Sequence, residues 1–212
     1  MNADFALQRS AMIDSQLRTV GVNAPDVLSA VAAVPREHFM PAGRAALAYV
    51  DGAVDFGGGR SMIEPMILGL ILTHLRIQPD EKVLIIGAGT GYSTAVVNAL
   101  TPFVTALESD AALVAHARAM GIAVVEGALV EGWAANAPYD VLLFDGALQY
   151  LPPSLTAQLR DGGRVGLVQI GDDGVGRVTV GRVAAGHFGG SSFIETAATP
   201  LPGFEAPSRF VF

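Results

Sequence analysis

Residues 83–92, VLIIGAGTGY, decide how the rest of this chain is read. Val83 to Ile86 is a short, unbroken apolar run, the pattern of a parallel strand covered on both faces. Gly87, Gly89 and Gly91 follow at once, and Tyr92–Leu100 (YSTAVVNAL) reads as a helix. Glycines at that junction let the backbone turn sharply and lie against a ligand with no Cβ in the way. The next apolar run, Phe103–Leu107, ends on Glu108. That acid stands about 20 residues after the first glycine, near the usual distance for a carboxylate that binds ribose hydroxyls. Strand, glycine turn, helix and distant acid together describe a nucleoside site at the first strand–helix turn of an α/β sheet.

A dinucleotide fingerprint is G-x-G-x-x-G, and its third glycine would fall on Tyr92. This chain has G-x-G-x-G instead, which resembles the first motif of class I S-adenosylmethionine-dependent methyltransferases. S-adenosyl-L-methionine is therefore the expected cofactor, with S-adenosyl-L-homocysteine as product, ahead of a nicotinamide dinucleotide. The glycine turn alone would suit any strand–helix junction; Glu108 and the strand before it favour the nucleoside.

With 212 residues, the chain is long enough for one sizeable core, or for one domain with an extension. Its 51% hydrophobic and 16% charged residues are those of a globular protein. A net charge of −7 argues against a nucleic-acid partner, which would require a basic footprint. The absence of cysteine removes disulfides, thiolate metal sites and a thiol nucleophile. His38, His74, His116 and His187 are scattered without metal-ligand spacing, so no metal is expected. The opening MNADFALQRSAM lacks the basic-then-apolar pattern of a signal peptide. The longest apolar run, Pro65 to Leu75, is too short to span a bilayer. A cytoplasmic protein with no membrane partner is the expectation.

Residues 1–80 read as a mainly helical lead-in, and 81–212 as the α/β, cofactor-binding part of one structural unit. Phe5 to Val20 is patterned as an amphipathic helix, with Met12, Ile13, Leu17 and Val20 on one stripe. Asn23 is suited to cap a second helix, Pro25 to begin it and Pro35 to stop it. Pro41 to Val50 reads as a short helix or turn. Gly57, Gly58 and Gly59 are expected to break all regular structure, and Pro65 to open a buried helix. From 83 onward, strands are expected at 83–86, 103–107, 122–125, 139–144 and 164–170, with helices between them, including 111–120 and 153–159. That alternation means βαβ units and a parallel sheet. The tail differs: 176–183 and 208–212 read as strands of an antiparallel hairpin, joined through the glycine- and serine-containing stretch 186–192.

Several further segments resemble one family, the protein-L-isoaspartate (D-aspartate) O-methyltransferases, over nearly the whole chain. VLSAVAAVPREHFMP (27–41) is similar to the family's helix ending in V-P-R-E-x-F-x-P, and AYVDGAV (48–54) to its A-Y-x-D segment. GGGRSMIEP (57–65) aligns without gaps onto the substrate loop G-x-G-Q-T-I-S-x-P. GWAANAPYD (132–140) and LRDGGRVGLVQIG (159–171) match two later motifs. The resemblance implies a Rossmann-like class I methyltransferase sheet, mostly parallel with an antiparallel C-terminal hairpin and an N-terminal helical extension. It implies methyl transfer to an isoaspartyl or other carboxylate. The acceptor would be an isoaspartyl-containing protein or peptide, or an unidentified small acid.

Carried onto this sequence, the cofactor would lie against Gly87, Ala88, Gly89, Gly91, Tyr92, Glu108, Ser109, Gly127 and Ala128. The acceptor would lie against Arg60, Ser61, Ile63 and Asp145. Departures from the family pattern fall at those same places. Its substrate-loop serine or threonine falls on Ile63, its glutamine on Arg60, and Glu64 takes a neutral position. The first-motif acid falls on Ile85, the aspartate after Gly127 on Ala128, and a small residue or threonine on Asp145. Arg60 could anchor a carboxylate by its bidentate fork, pair internally with Glu64, or be a solvated loop charge. Asp145 could contact substrate or cap the next helix. Beside the methyltransferase stands an alternative: a divergent, non-repair paralogue that methylates another acceptor, or binds cofactor or partner without catalysis.

Overall fold

The computed structural model describes residues 4–197 and 200–206. Helix α1 (Phe5–Met12) starts where the Asp4 carboxylate accepts the Leu7 amide at 3.1 Å. The expected single helix to Val20 is a continuous helical run of changing pitch: a π turn over Ile13–Leu17, then a 3-10 turn over Arg18–Val20. Met12, Ile13 and Leu17 of its stripe are buried and Val20 is half-buried. Helix α2 (Pro25–Ala33) begins at Pro25, whose missing amide costs nothing there, and its cap position is Ala24, not Asn23.

Strands β1 (Val54–Gly57) and β2 (Arg60–Met62) pair antiparallel as a separate two-stranded hairpin. The three glycines expected to break regular structure close this hairpin. Gly57, Gly58 and Gly59 all adopt positive φ, 87°, 60° and 76°, which side chains resist. Helix α3 (Pro65–Leu75) is buried on most sides, as its all-apolar sequence requires.

The α/β part follows in order: β3 (Val83–Ile86), α4 (Tyr92–Asn98), β4 (Val104–Glu108), α5 (Ala111–Ala119) and β5 (Val125–Glu126). Then come β6 (Tyr139–Leu148), α6 (Pro153–Thr156), β7 (Leu159–Ile170), β8 (Gly176–Ala184) and β9 (His187–Thr196). They build one seven-stranded sheet in the order β5-β4-β3-β6-β7-β8-β9. The first five are parallel; β8 and β9 are antiparallel. On β3, Val83 and Ile85 enter the apolar layer shared with α3 and α4, while Leu84 and Ile86 enter the opposite layer with Leu142, Phe144 and Leu167. Both faces being covered is why this strand reads as an unbroken apolar run.

Several expected boundaries shift. The third strand is only Val125–Glu126, β6 runs on to Leu148, helix α4 stops at Asn98 and α6 at Thr156, and β7 begins at Leu159. The stretch 186–192 is no linker: most of it belongs to β9. There the facing Gly181 of β8 lets two backbones meet, since a Cβ on it would lie 2.2 Å from the Gly189 carbonyl oxygen and 2.4 Å from the Gly190 Cα. Residues 208–212, read as a strand, lie outside the described residues. Residues 200–206 return across β6: the Leu201 amide donates to the Ala147 carbonyl at 2.8 Å, and Phe204 packs edge-on against Phe144. Among the described residues, no helix is long and apolar enough to cross a membrane.

Candidate functional site

The carboxyl ends of β3 and β4 lie side by side, with Ile86 opposite Leu107, so the glycine turn and Glu108 are brought together. Gly87, Gly89 and Gly91 have φ of 79°, 57° and 95°. The Gly87 and Ala88 amides are tied to the Leu107 carbonyl at 2.9 and 3.0 Å. The Gly89 amide donates to Glu108 Oε2 at 2.8 Å. The Ser109 and Asp110 amides donate to Oε1 at 2.7 and 2.9 Å.

A further partner of Glu108 comes from β2. Arg60 Nη1 reaches Oε1 at 2.6 Å and Nη2 reaches Oε2 at 2.8 Å, a bidentate pair between side chains only 4% and 0% exposed. Arg60 Nη2 also donates to the Gly87 carbonyl at 3.3 Å. Burial alone would raise the Glu108 carboxyl. The Arg60 fork and the Asp110 and Gly89 amides outweigh it, and the group lies below its ordinary value.

The bare glycine faces are covered by the chain's own side chains. A Cβ on Gly87 would lie 2.8 Å from Leu201 Cδ2 and 3.3 Å from Arg60 Nη2; one on Gly89 would lie 3.0 Å from Phe56 Cε2. Residues 87–91 are accordingly buried throughout.

A second polar cluster adjoins this one. Ser93, on α4, donates to Asp145 Oδ2 at 2.5 Å, and Asp145 Oδ1 has no hydrogen-bond partner among the described residues. Burial pushes the Asp145 carboxyl up to about 6, against the Ser93 hydrogen bond and the charges of Arg60 and Arg36. Arg36 is fully buried: its Nη2 donates to the Ile63 carbonyl at 2.8 Å, and its guanidinium lies 4.6 Å from the Tyr92 ring centroid. Its Nε and Nη1, and the hydroxyls of Thr90 and Thr94, lack partners among the described residues. Buried polar atoms left unpaired are uncommon and cluster where ligands bind.

The expected residues thus divide. Gly87, Ala88, Gly89, Gly91, Glu108 and Ser109 meet at one place. Gly127 and Ala128 line an adjoining cleft of about 280 Å³ with Glu131 and Trp133, and the Gly127 amide donates to the Glu108 carbonyl at 3.0 Å. The Tyr92 ring is buried beneath Arg36 and against Phe39. Ser61 sits in β2, opposite Asp55. The Ile63 side chain belongs to the apolar core, 6% exposed. Arg60 pairs with Glu108, not Glu64, whose carboxyl is raised by burial and by Asp51. Phe56, Leu201 and the partly unsatisfied Arg36 were not singled out by sequence. Only Arg36 carried a signal, as the one cation inside an apolar motif. Among the described residues, no cluster of histidine, cysteine or carboxylate side chains could hold a metal ion.

A mostly parallel sheet, a glycine turn after its first strand and an acid ending the next define a Rossmann-like class I methyltransferase. Residues 7–182 match the family model for protein-L-isoaspartate(D-aspartate) O-methyltransferase. A protein-L-isoaspartate O-methyltransferase of Koribacter versatilis is 36% identical over 97% of this chain and 96% of that one. Another, from Methylorubrum populi, is 37% identical over 78% and 81%. A Plasmodium falciparum structure described as a protein of this kind with S-adenosyl-L-homocysteine superposes with TM-score 0.77 at 15% identity, covering 92% of this chain and 97% of that one. At that identity the likeness is one of fold. The chain belongs to the protein-L-isoaspartate O-methyltransferase family, whose members are S-adenosylmethionine-dependent enzymes.

The residue types fit that cofactor: bare glycines, a strand-end carboxylate, and a buried hydroxyl and carboxylate oxygen without partners at Thr90 and Asp145. The space between them is held by Arg60, Phe56 and Leu201.

Proposed function

We propose that this chain transfers a methyl group from S-adenosylmethionine to the carboxylate of an isoaspartyl-containing protein or peptide. The observation that carries the proposal is Glu108, buried and within 2.8 Å of the Gly89 amide, at the carboxyl edge where open α/β sheets bind ligands. In this reading Gly87, Ala88, Gly89, Gly91 and Ser109 bound the nucleoside, Glu108 accepts from its ribose hydroxyls, and Gly127 and Ala128 flank the base. Ser61 and Asp145 serve the acceptor side, with Ile63 and Tyr92 as packing beneath it, while Arg60 lies toward the nucleoside, on Glu108. Residues 1–80 carry most of the acceptor side and 81–212 most of the cofactor side of one unit, working in the cytoplasm without nucleic acid.

When bound, the cofactor supplies a methyl on a sulfonium; the S–CH₃ pair stays on sulfur, and an acceptor oxygen lone pair forms the ester. A carboxylate is ionised at neutral pH, with an ordinary pKa of about 3.9, so the chain needs no general base. Its contribution is positioning and exclusion of water. The test is incubation with methyl-labelled cofactor and paired peptides carrying isoaspartate or aspartate. Base-labile ester on the isoaspartyl peptide alone is the expected result. Label on neither peptide, with folded protein, would overturn the reading.

A further inference from the structure

We propose that Arg60 is a built-in occupant of the nucleoside site, and that the β1–β2 hairpin must withdraw it before ribose hydroxyls can reach Glu108. The proposal rests on the cofactor reading above. A carboxylate offers about four lone-pair sites. Glu108 already accepts from Arg60 twice and from the amides of Gly89, Ser109 and Asp110. No site is left for a ribose diol while Arg60 stays.

The rest of the hairpin acts with it. Phe56, on β1, lies across Gly89, while Arg60, on β2, lies across Gly87. Both leave together if the hairpin moves. It pairs with no strand of the main sheet, and its turn is three glycines, so no ladder hydrogen bond to that sheet must break. A tie to be released is Arg44 Nη1 on the Asp55 carbonyl, 2.6 Å, at the exposed surface.

Electrostatics set the strength of the closure. A buried carboxylate stripped of its partner is strongly unfavourable, so Glu108 holds Arg60 until another set of donors replaces it. Two neutral hydroxyls replace a bidentate cation poorly. The closed state therefore competes with the nucleoside and lowers its apparent affinity by the fraction of molecules that are open. Arg60 is thus a positioning residue of the closed form, and its removal should tighten nucleoside binding.

The experiment is calorimetric titration of the full chain with S-adenosylhomocysteine, comparing wild type with Arg60→Gln. Glutamine keeps a neutral, shorter amide but neither the charge nor the fork. The expected result is at least tenfold tighter binding by Arg60→Gln, with both proteins melting cooperatively. Hydrogen exchange on wild type at saturating S-adenosylhomocysteine gives a second reading should the variant fail to fold: amides of residues 54–62 should exchange faster with ligand. Equal or tighter binding by wild type, or greater protection of 54–62 on binding, would overturn the closure and leave the cofactor reading standing. Binding by neither folded protein would overturn both.

Discussion

Asp145 is where burial and charge stand most at odds. Its carboxyl, pushed up to about 6 from an ordinary 3.8, holds a proton in the folded state that the unfolded chain sheds about two pH units earlier. The folded state therefore binds more protons between about pH 4 and 6, and stability falls as pH rises through that window, then levels. Asp145→Asn should remove this slope and be more stable above pH 7 by on the order of 2–3 kcal/mol at most. The measurement is the difference in urea unfolding free energy between wild type and variant at pH 4, 5, 6 and 7. Glu81 and Glu108, whose carboxyls are lowered, slope the other way in both proteins and largely cancel in that difference. A difference independent of pH would show that folding does not shift the Asp145 carboxyl, and would contradict this. At this scale the sequence was informative about which residues depart from the family and silent about where they point. Ile63 offers no hydroxyl, as its side chain dictates, but its place in the apolar core needed the fold around it.

Elements were legible where local chemistry marks their ends. Pro25 and Pro65 sit at the first positions of α2 and α3, and the apolar run 83–86 is β3 to the residue. Strand β9 was not legible, because it is an edge strand, largely exposed, with glycine and serine where alternation would otherwise show. The β1–β2 hairpin was hidden for a related reason: three glycines look like interruption whether or not the flanking residues pair. The returning tail depends on Leu201, which is 2% exposed and presses against the bare faces of Gly87 and Gly146. Leu201→Ala should cost about 2–4 kcal/mol, the range for a truncated core leucine, in a urea melt. A loss under about 1 kcal/mol would show that residues 200–206 fray independently of the sheet.

Across the whole molecule, the floor of the site was readable and its cover was not. Glycine turn and acid follow one another at a spacing fixed by a single βαβ unit, so sequence distance stands in for geometry. Arg60 and Glu108 are 48 residues apart, on a hairpin and on a sheet, and no local pattern links them. Their pairing sets a cation of the chain itself against the acid and the glycine turn. It also explains how a carboxylate can be fully buried in a chain of net charge −7. Under the proposal, Glu108 is the partner of Arg60 in the closed form and of the nucleoside in the open one.

The most direct measurement is therefore S-adenosylhomocysteine titration of Arg60→Gln beside Arg60→Gln/Glu108→Ala, where the competing cation is gone from both. Each hydrogen bond from a ribose hydroxyl to a charged acceptor contributes about 1.5–3 kcal/mol. Affinity should therefore fall by at least about tenfold in the double variant, at roughly 1.4 kcal/mol per decade. Equal affinity in the two folded proteins would remove Glu108 from the nucleoside site and contradict the account.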